Sequence, residues 1–252
     1  MTTIAVANQK GGVGKTTTTI NLGAYLGKLG QRVLIVDLDP QGNSSSGLGV
    51  AKDQLKQSLY DVLVRGAEVA PLVQTTKFQN LSVLPTAPVL AAAEVELAPL
   101  QHREFRLKQA LAQLDFDIIL IDCPPSLGLL TLNGLVAADR VLIPVQSEYY
   151  ALEGLGQLLA TIQRVRQALN PELALLGVVL TMHVRRMSLS AQVESELQKH
   201  FGSLLLGTVI PRNIRLAEAP SHGVPISQYD RFSKGAQSYK KLAKEVLARV
   251  KG

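Results

Sequence analysis

Three short stretches of the 252-residue chain carry residue types that could do chemistry together: QKGGVGKT at 9–16, VDLDPQGN at 36–43 and IILID at 118–122. The first ends as a phosphate-binding loop of pattern G-x-x-x-x-G-K-[ST] ends, with Gly14, Lys15 and Thr16 in place. In such a loop backbone N–H groups cradle phosphates, the lysine reaches the terminal phosphate and the hydroxyl holds Mg²⁺. The opening glycine is replaced by Gln9, and an extra lysine, Lys10, stands beside it. Gly11, Gly12 and Gly14 still permit positive φ and close backbone approach, and the helix that KTTTT opens adds its N-terminal partial positive charge.

Asp122, at the end of an apolar strand, has the placement of a carboxylate that holds Mg²⁺ through water across from Thr16. Asp37 and Asp39 are two residues apart, so in extended chain they point to opposite faces and at most one faces a terminal phosphate. Asp39 is nearer the loop and is followed by Pro40 and Gly42. It is expected to orient an attacking water, with Asp37 behind it.

The elements that must position these groups are legible as short Val/Ile-rich runs: TIAVAN, RVLIVDLD, LSVLP, FDIILIDCPP, RVLIPVQ, ALLGVVLTM and LLGTVIP. Runs without polar alternation imply strands covered on both faces. Helices are expected over 17–29, 153–169, 188–201 and 233–250. Strands alternating with helices predict a doubly wound α/β fold, a mostly parallel sheet with helices on both faces, in one domain over 1–252. Ligands of such sheets bind beyond the carboxyl ends of the strands, where Asn8, Lys10, Asp37, Asp39, Asp122, Arg212 and Asn213 fall.

Composition narrows the class. No run of 18 apolar residues or exported leader is present, and the single cysteine, Cys123, excludes an internal disulfide and multi-cysteine metal sites. A cytoplasmic protein is expected. The net charge of +6 is uneven: from Thr181 onward 12 Lys and Arg stand against 5 Asp and Glu. A basic last third suits a polyanion partner.

KGGVGKTT at 10–17, DLDPQGN at 37–43, IDCPPSLGLLTLNGL at 121–135, EYYALEG at 148–154 and VIPRNIRLAEAPSHGVPI at 209–226 resemble the ParA/Soj family of chromosome and plasmid partition ATPases. The loop alone is shared by all deviant Walker P-loop ATPases, MinD and the nitrogenase iron protein included. EYYALEG and RLAEAPSHG narrow the likeness to ParA/Soj.

The resemblance implies ATP/ADP and Mg²⁺ as cofactors, held by Lys10, Gly11, Gly12, Val13, Gly14, Lys15, Thr16 and Thr17, with Pro211 and Asn213 at the adenine and Thr16 and Asp122 at the metal. It implies that Lys15 serves its own nucleotide, that Lys10 reaches the partner's phosphates in an ATP-sandwich homodimer, and that Asp39 positions water. It further implies non-specific duplex DNA binding near Arg186 and Arg215, release when a ParB-like partner stimulates hydrolysis, and residence on the nucleoid. Where relatives often carry Asp after the TM of the sixth run, this chain has His183, Val184 and Arg185; His183 is expected to be a surface or capping residue. No helix-turn-helix precedes the first strand, as expected of the short chromosomal type.

Two other classes compete. A MinD-like membrane-surface ATPase would use the C-terminal stripe Tyr239, Leu242, Val246 and Val250, which serves equally as an ordinary core-packing face. A metabolic enzyme on the same fold would need a substrate constellation that the sequence does not present. A nitrogenase-type reductase needs two cysteines per subunit.

Overall fold

The computed structural model describes residues 1–148, 151–184 and 186–251. Tyr149 and Tyr150 of the EYYALEG stretch, and Arg185, lie outside the described residues.

The apolar runs form a seven-stranded sheet in the order β3-β4-β2-β5-β1-β6-β7. The strands are β1 (Thr2–Val6), β2 (Val33–Asp37), β3 (Gln74–Thr75), β4 (Leu81–Leu84), β5 (Ile118–Asp122), β6 (Arg140–Gln146) and β7 (Ala174–Thr181). All pairings are parallel except that of β3 with β4. The helices are α1 (Lys15–Lys28), α2 (Asn43–Gly47), α3 (Leu59–Arg65), α4 (Ala93–Glu96), α5 (Arg106–Leu111), α6 (Leu129–Ala137), α7 (Ala151–Ala168), α8 (Ser188–Phe201), α9 (Ile214–Glu218), α10 (Ile226–Tyr229) and α11 (Lys234–Lys251).

Side-chain alternation along the buried strands splits the core into two layers. Ile119 and Ile121 of β5 face one layer, with Leu34 and Val36 of β2 and Leu158 of α7. Ile118 and Leu120 face the other, with Leu22 and Leu26 of α1 and Tyr239, Leu242 and Val246 of α11. The C-terminal stripe is thus core, each of its fully buried side chains contributing roughly 1.5–3 kcal/mol. Arg249 fastens the helix end by donating to the carbonyls of Leu176 and Ser203. Among the described residues no helix is long and apolar enough to cross a membrane.

The last expected strand, LLGTVIP, does not form. It touches β7 through isolated bridges, Val178 to Leu205 and His183 to Pro211. Between these points the amides of Gly207 and Thr208 donate to the Glu245 carboxylate of α11, at 2.8 and 3.0 Å, instead of to β7. Helix α1 also starts two residues earlier than expected, because Gly14 at φ 89° makes the left-handed turn that lets Lys15 begin it.

β1 lies between β5 and β6, while the chain leaving it crosses to β2 on the far side of β5. The crevice at this reversal of strand order is where open α/β sheets bind ligands. The loops after β1, β2 and β5 meet there.

Candidate functional site

The loop between β1 and α1 is shaped by Gly12 at φ 74° and Gly14 at φ 89°, conformations that a side chain would strain. Asn8 ties its start: its amide donates to the Pro144 carbonyl at 2.7 Å, and its Oδ1 accepts the Lys10 N–H at 3.0 Å. Thr181 at the end of β7 ties the middle, donating to the Val13 carbonyl at 2.7 Å.

The two lysines of the loop diverge. Lys15 turns inward, only 7% exposed, and its ammonium donates to the Lys10 carbonyl at 3.2 Å. Burial pushes this ammonium below its usual range, while Asp122, Cys123 and Asp39 pull it back up. Lys10 turns outward, and its Nζ pairs with Glu148 Oε2 at 3.1 Å. Glu148 Oε1 in turn accepts from the Gln146 amide at 2.5 Å.

Three carboxylates stand behind the loop. Asp122 is fully buried; its Oδ2 accepts from Ser44 Oγ at 2.7 Å and its Oδ1 from Thr19 Oγ1 at 3.4 Å. Asp37, its register partner across the β2–β5 pairing, is equally buried. Ser45 of α2 donates to Asp37 Oδ2 from both its N–H, at 2.7 Å, and its hydroxyl, at 2.6 Å, while Asp37 Oδ1 has no partner. Asp39, 7% exposed, accepts the Gln41 N–H at 2.9 Å, which closes the turn entering α2. The sequence separates the roles of Asp37 and Asp39 by alternation, and the structure places Asp37 beneath the surface and Asp39 at its edge.

Burial raises the carboxyls of Asp37 and Asp122 above the ordinary carboxylate range; Asp122 adds Coulombic repulsion at Asp37, and hydroxyls of Ser44 and Thr16 offset part of the rise at Asp122. A carboxyl raised on folding contributes stability that is complete below its unfolded pKa and fades as pH climbs through the folded value. The ligand-free chain is therefore expected to melt at lower temperature as pH is raised from about 5 to about 8. Asp37→Asn should flatten that decline in a series of thermal melts; an undiminished slope would count against the coupling.

Beside the loop opens a cleft of about 520 Å³ whose walls include Gly12, Gly14, Thr17, Pro211, Asn213 and Tyr239. The residues expected at phosphate and at adenine thus line one space. Asn213 caps α9, its Oδ1 accepting the Arg215 N–H at 2.9 Å, and its amide NH₂ has no partner among the described residues. Tyr239 OH and Thr18 Oγ1 are 3.1 Å apart, which joins α11 to α1 at the cleft wall. Sequence reasoning missed Ser44, Thr19, Tyr239 and Thr181.

The two arginines expected to meet DNA differ. Arg186 is exposed. Arg215 is held by Glu218 at 2.9 Å and lies 3.8 Å from Asp230, so much of its charge is already answered. His183 is half-buried, its side chain 9% exposed between Ser147 Oγ at 3.2 Å and Glu194 at 3.8 Å.

Lys15 is a desolvated cation that no carboxylate approaches within 4 Å among the described residues, and the loop glycines leave N–H groups free of side-chain cover. Those features fit a phosphate chain. Among the described residues no cluster of His, Cys, Asp or Glu could by itself hold a metal ion, so a divalent cation here would draw on Thr16, water and phosphate oxygens.

Known proteins resemble this chain along most of its length. A family model described as an AAA domain matches residues 1–175. The sporulation initiation inhibitor protein Soj of Bacillus subtilis is 56% identical over 97% of this chain and 98% of its own length. The chromosome partitioning protein ParA of Caulobacter vibrioides is 50% identical over 98% of this chain and 94% of its own. Among solved structures, cobyrinic acid a,c-diamide synthase from Mycobacterium smegmatis, with bound ADP and magnesium, superposes with a TM-score of 0.87 at 42% identity over 100% of this chain and 96% of that one.

Proposed function

We propose that this chain, which belongs to the ParA/Soj family of partition ATPases, is a Mg²⁺-dependent ATPase that pairs with a second copy around ATP. The pair binds duplex DNA without sequence preference and lets go when a ParB-like partner stimulates hydrolysis. The observation that carries this reading is the divergence of the two loop lysines. Lys15 is folded over its own loop, whereas Lys10 projects outward to Glu148, where a second subunit can be met.

Each residue has a task in that scheme. Residues 11–17 cradle the phosphates, Lys15 neutralises the chain's own nucleotide, and Lys10 is offered to the partner's. A magnesium ion would be held by Thr16 and Asp122 and would supply charge neutralisation on the phosphates. Asp39 orients water, with its carboxylate fixed by the Gln41 N–H, and Pro211 and Asn213 flank the adenine.

The amide-forming activity in the name of the Mycobacterium smegmatis neighbour is not carried over. A cysteine nucleophile is activated by a lowered pKa or an adjacent base, whereas the chain's one cysteine, Cys123, is 1% exposed with its thiol pushed far up by burial.

The test is duplex binding measured with ATP and with ADP. If each monomer neutralises about three phosphates, pairing steepens the dependence of log K on log salt from roughly −2.7 to roughly −5.4. Binding is therefore expected with ATP and to fade with ADP, and Arg186→Ala should weaken it. Equal binding in both nucleotides would refute the dimer-gated reading.

A further inference from the structure

At the end of α1 opposite the phosphate loop, roughly 20 Å along the helix, a depression of about 600 Å³ lies between α1, α10 and α11. Three cations surround it: Lys28 of α1, Arg231 between α10 and α11, and Lys240 of α11, and none of its lining residues is acidic. Ser227 contributes to its wall; the residue is 4% exposed, and its hydroxyl is buried without a hydrogen-bond partner. Lys28 Nζ rests on the Ser227 carbonyl at 3.3 Å. The Arg231 guanidinium lies 4.6 Å over the ring of Phe232, which is itself largely exposed.

The nearest carboxylate in sequence is already engaged. Asp230 Oδ1 accepts the N–H groups of Phe232 and Ser233, and its other oxygen faces Arg215. Three like charges around a concavity repel one another, and an unmet buried hydroxyl is costly. Burial and the nearness of Arg231 and Lys240 push the Lys28 ammonium below its usual range. A group bearing several anionic oxygens answers the first problem, accepting from the cations; the Ser227 hydroxyl lies buried just beneath them.

We propose that this depression seats a backbone phosphate of duplex DNA, so that the duplex contact runs from Arg215 across Arg231 to Lys28 and Lys240. The assignment rests on the DNA-binding reading above. A repeating polyanion is favoured over a lone small phosphate because the cationic surface continues past the depression, with Lys234, Lys241 and Lys244 exposed along α11. Arg215, answered by Glu218 and Asp230, is the weaker end of this track; Lys28, Arg231 and Lys240 have no carboxylate within 4 Å among the described residues.

The experiment is fluorescence anisotropy of a labelled duplex with the full chain and ATP, over a series of salt concentrations. Each phosphate contact adds about 0.9 to the slope of log K against log salt, so Lys28→Gln or Lys240→Gln should make it shallower by about 1.8 per dimer. Lys28→Arg and Lys240→Arg keep the charge and should keep the slope, which separates lost contact from lost fold. Parental binding with the slope unchanged in both glutamine variants would overturn this assignment alone. Failure of the parent chain to bind DNA with ATP would overturn the reading beneath it as well. In a parallel arm, inorganic phosphate is titrated against the ADP-bound chain: saturable binding that both glutamine variants lose while their DNA slopes stay parental would make this a small-anion site and refute the proposal.

Discussion

Lys10→Ala is expected to bind ATP much as the parent chain does and to lose partner-stimulated hydrolysis. A cation delivered in trans to a transferring phosphoryl group is worth about 10³ to 10⁵ in rate, or roughly 4 to 7 kcal/mol. Nucleotide binding is expected to survive because the contacts proposed to hold it come from elsewhere: Lys15, the N–H groups between Gly11 and Thr17, and the Pro211–Asn213 wall of the cleft. The Lys10 side chain contributes nothing to the loop's own shape; only its backbone does, with N–H to Asn8 and C=O from Lys15. Single-turnover hydrolysis with and without the partner, beside equilibrium ATP binding, separates the two effects. Parental stimulated rates in Lys10→Ala would end the trans assignment. The ion pair with Glu148 adds a further consequence, because the ammonium must leave that carboxylate before reaching a second subunit. An exposed pair of this kind is worth about 0–1 kcal/mol, small enough to be exchanged without a large barrier.

Asp39→Ala is expected to slow hydrolysis by about 10² to 10⁴, the usual value of a positioned proton-handling group, while pairing and DNA binding persist. The variant should therefore accumulate as an ATP-bound dimer on duplex, seen as slow dissociation when unlabelled competitor DNA is added. Rapid release at the parental rate would remove Asp39 from the water-positioning role. Asp37→Asn provides the contrast. Asp37 lies fully buried under Ser45 with no route to a ligand, so its substitution should move the stability profile more than the rate.

Much of this site could be read from the chain because local geometry decided it. The Val/Ile runs at 33–37 and 118–122 became central parallel strands, and Ser188–Phe201 became a helix over the very residues its pattern predicts. Gly12 and Gly14 take the positive φ that their residue type permits. What local pattern could not supply were partners brought together by topology. Asp122 meets Ser44 across 78 residues and Thr19 across 103, and Lys10 meets Glu148 across 138. LLGTVIP has the composition of a strand, yet a carboxylate 38 residues away captures the Gly207 amide and prevents it. The same distance effect gives His183 its partners, Ser147 across 36 residues and Glu194 on α8.

That diverted segment has a bearing on assembly. The sheet has two margins, and both are blunted: one by β3, two residues long and antiparallel, the other by residues 205–211, which run alongside β7 and pair with it only at isolated points. An unguarded margin would invite copies of the chain to join strand to strand into an open-ended ribbon. With both margins closed to such growth, the proposed pairing would use the loop-bearing end of the sheet, where a facing copy gives a closed pair of two that a change in what the loops hold would undo.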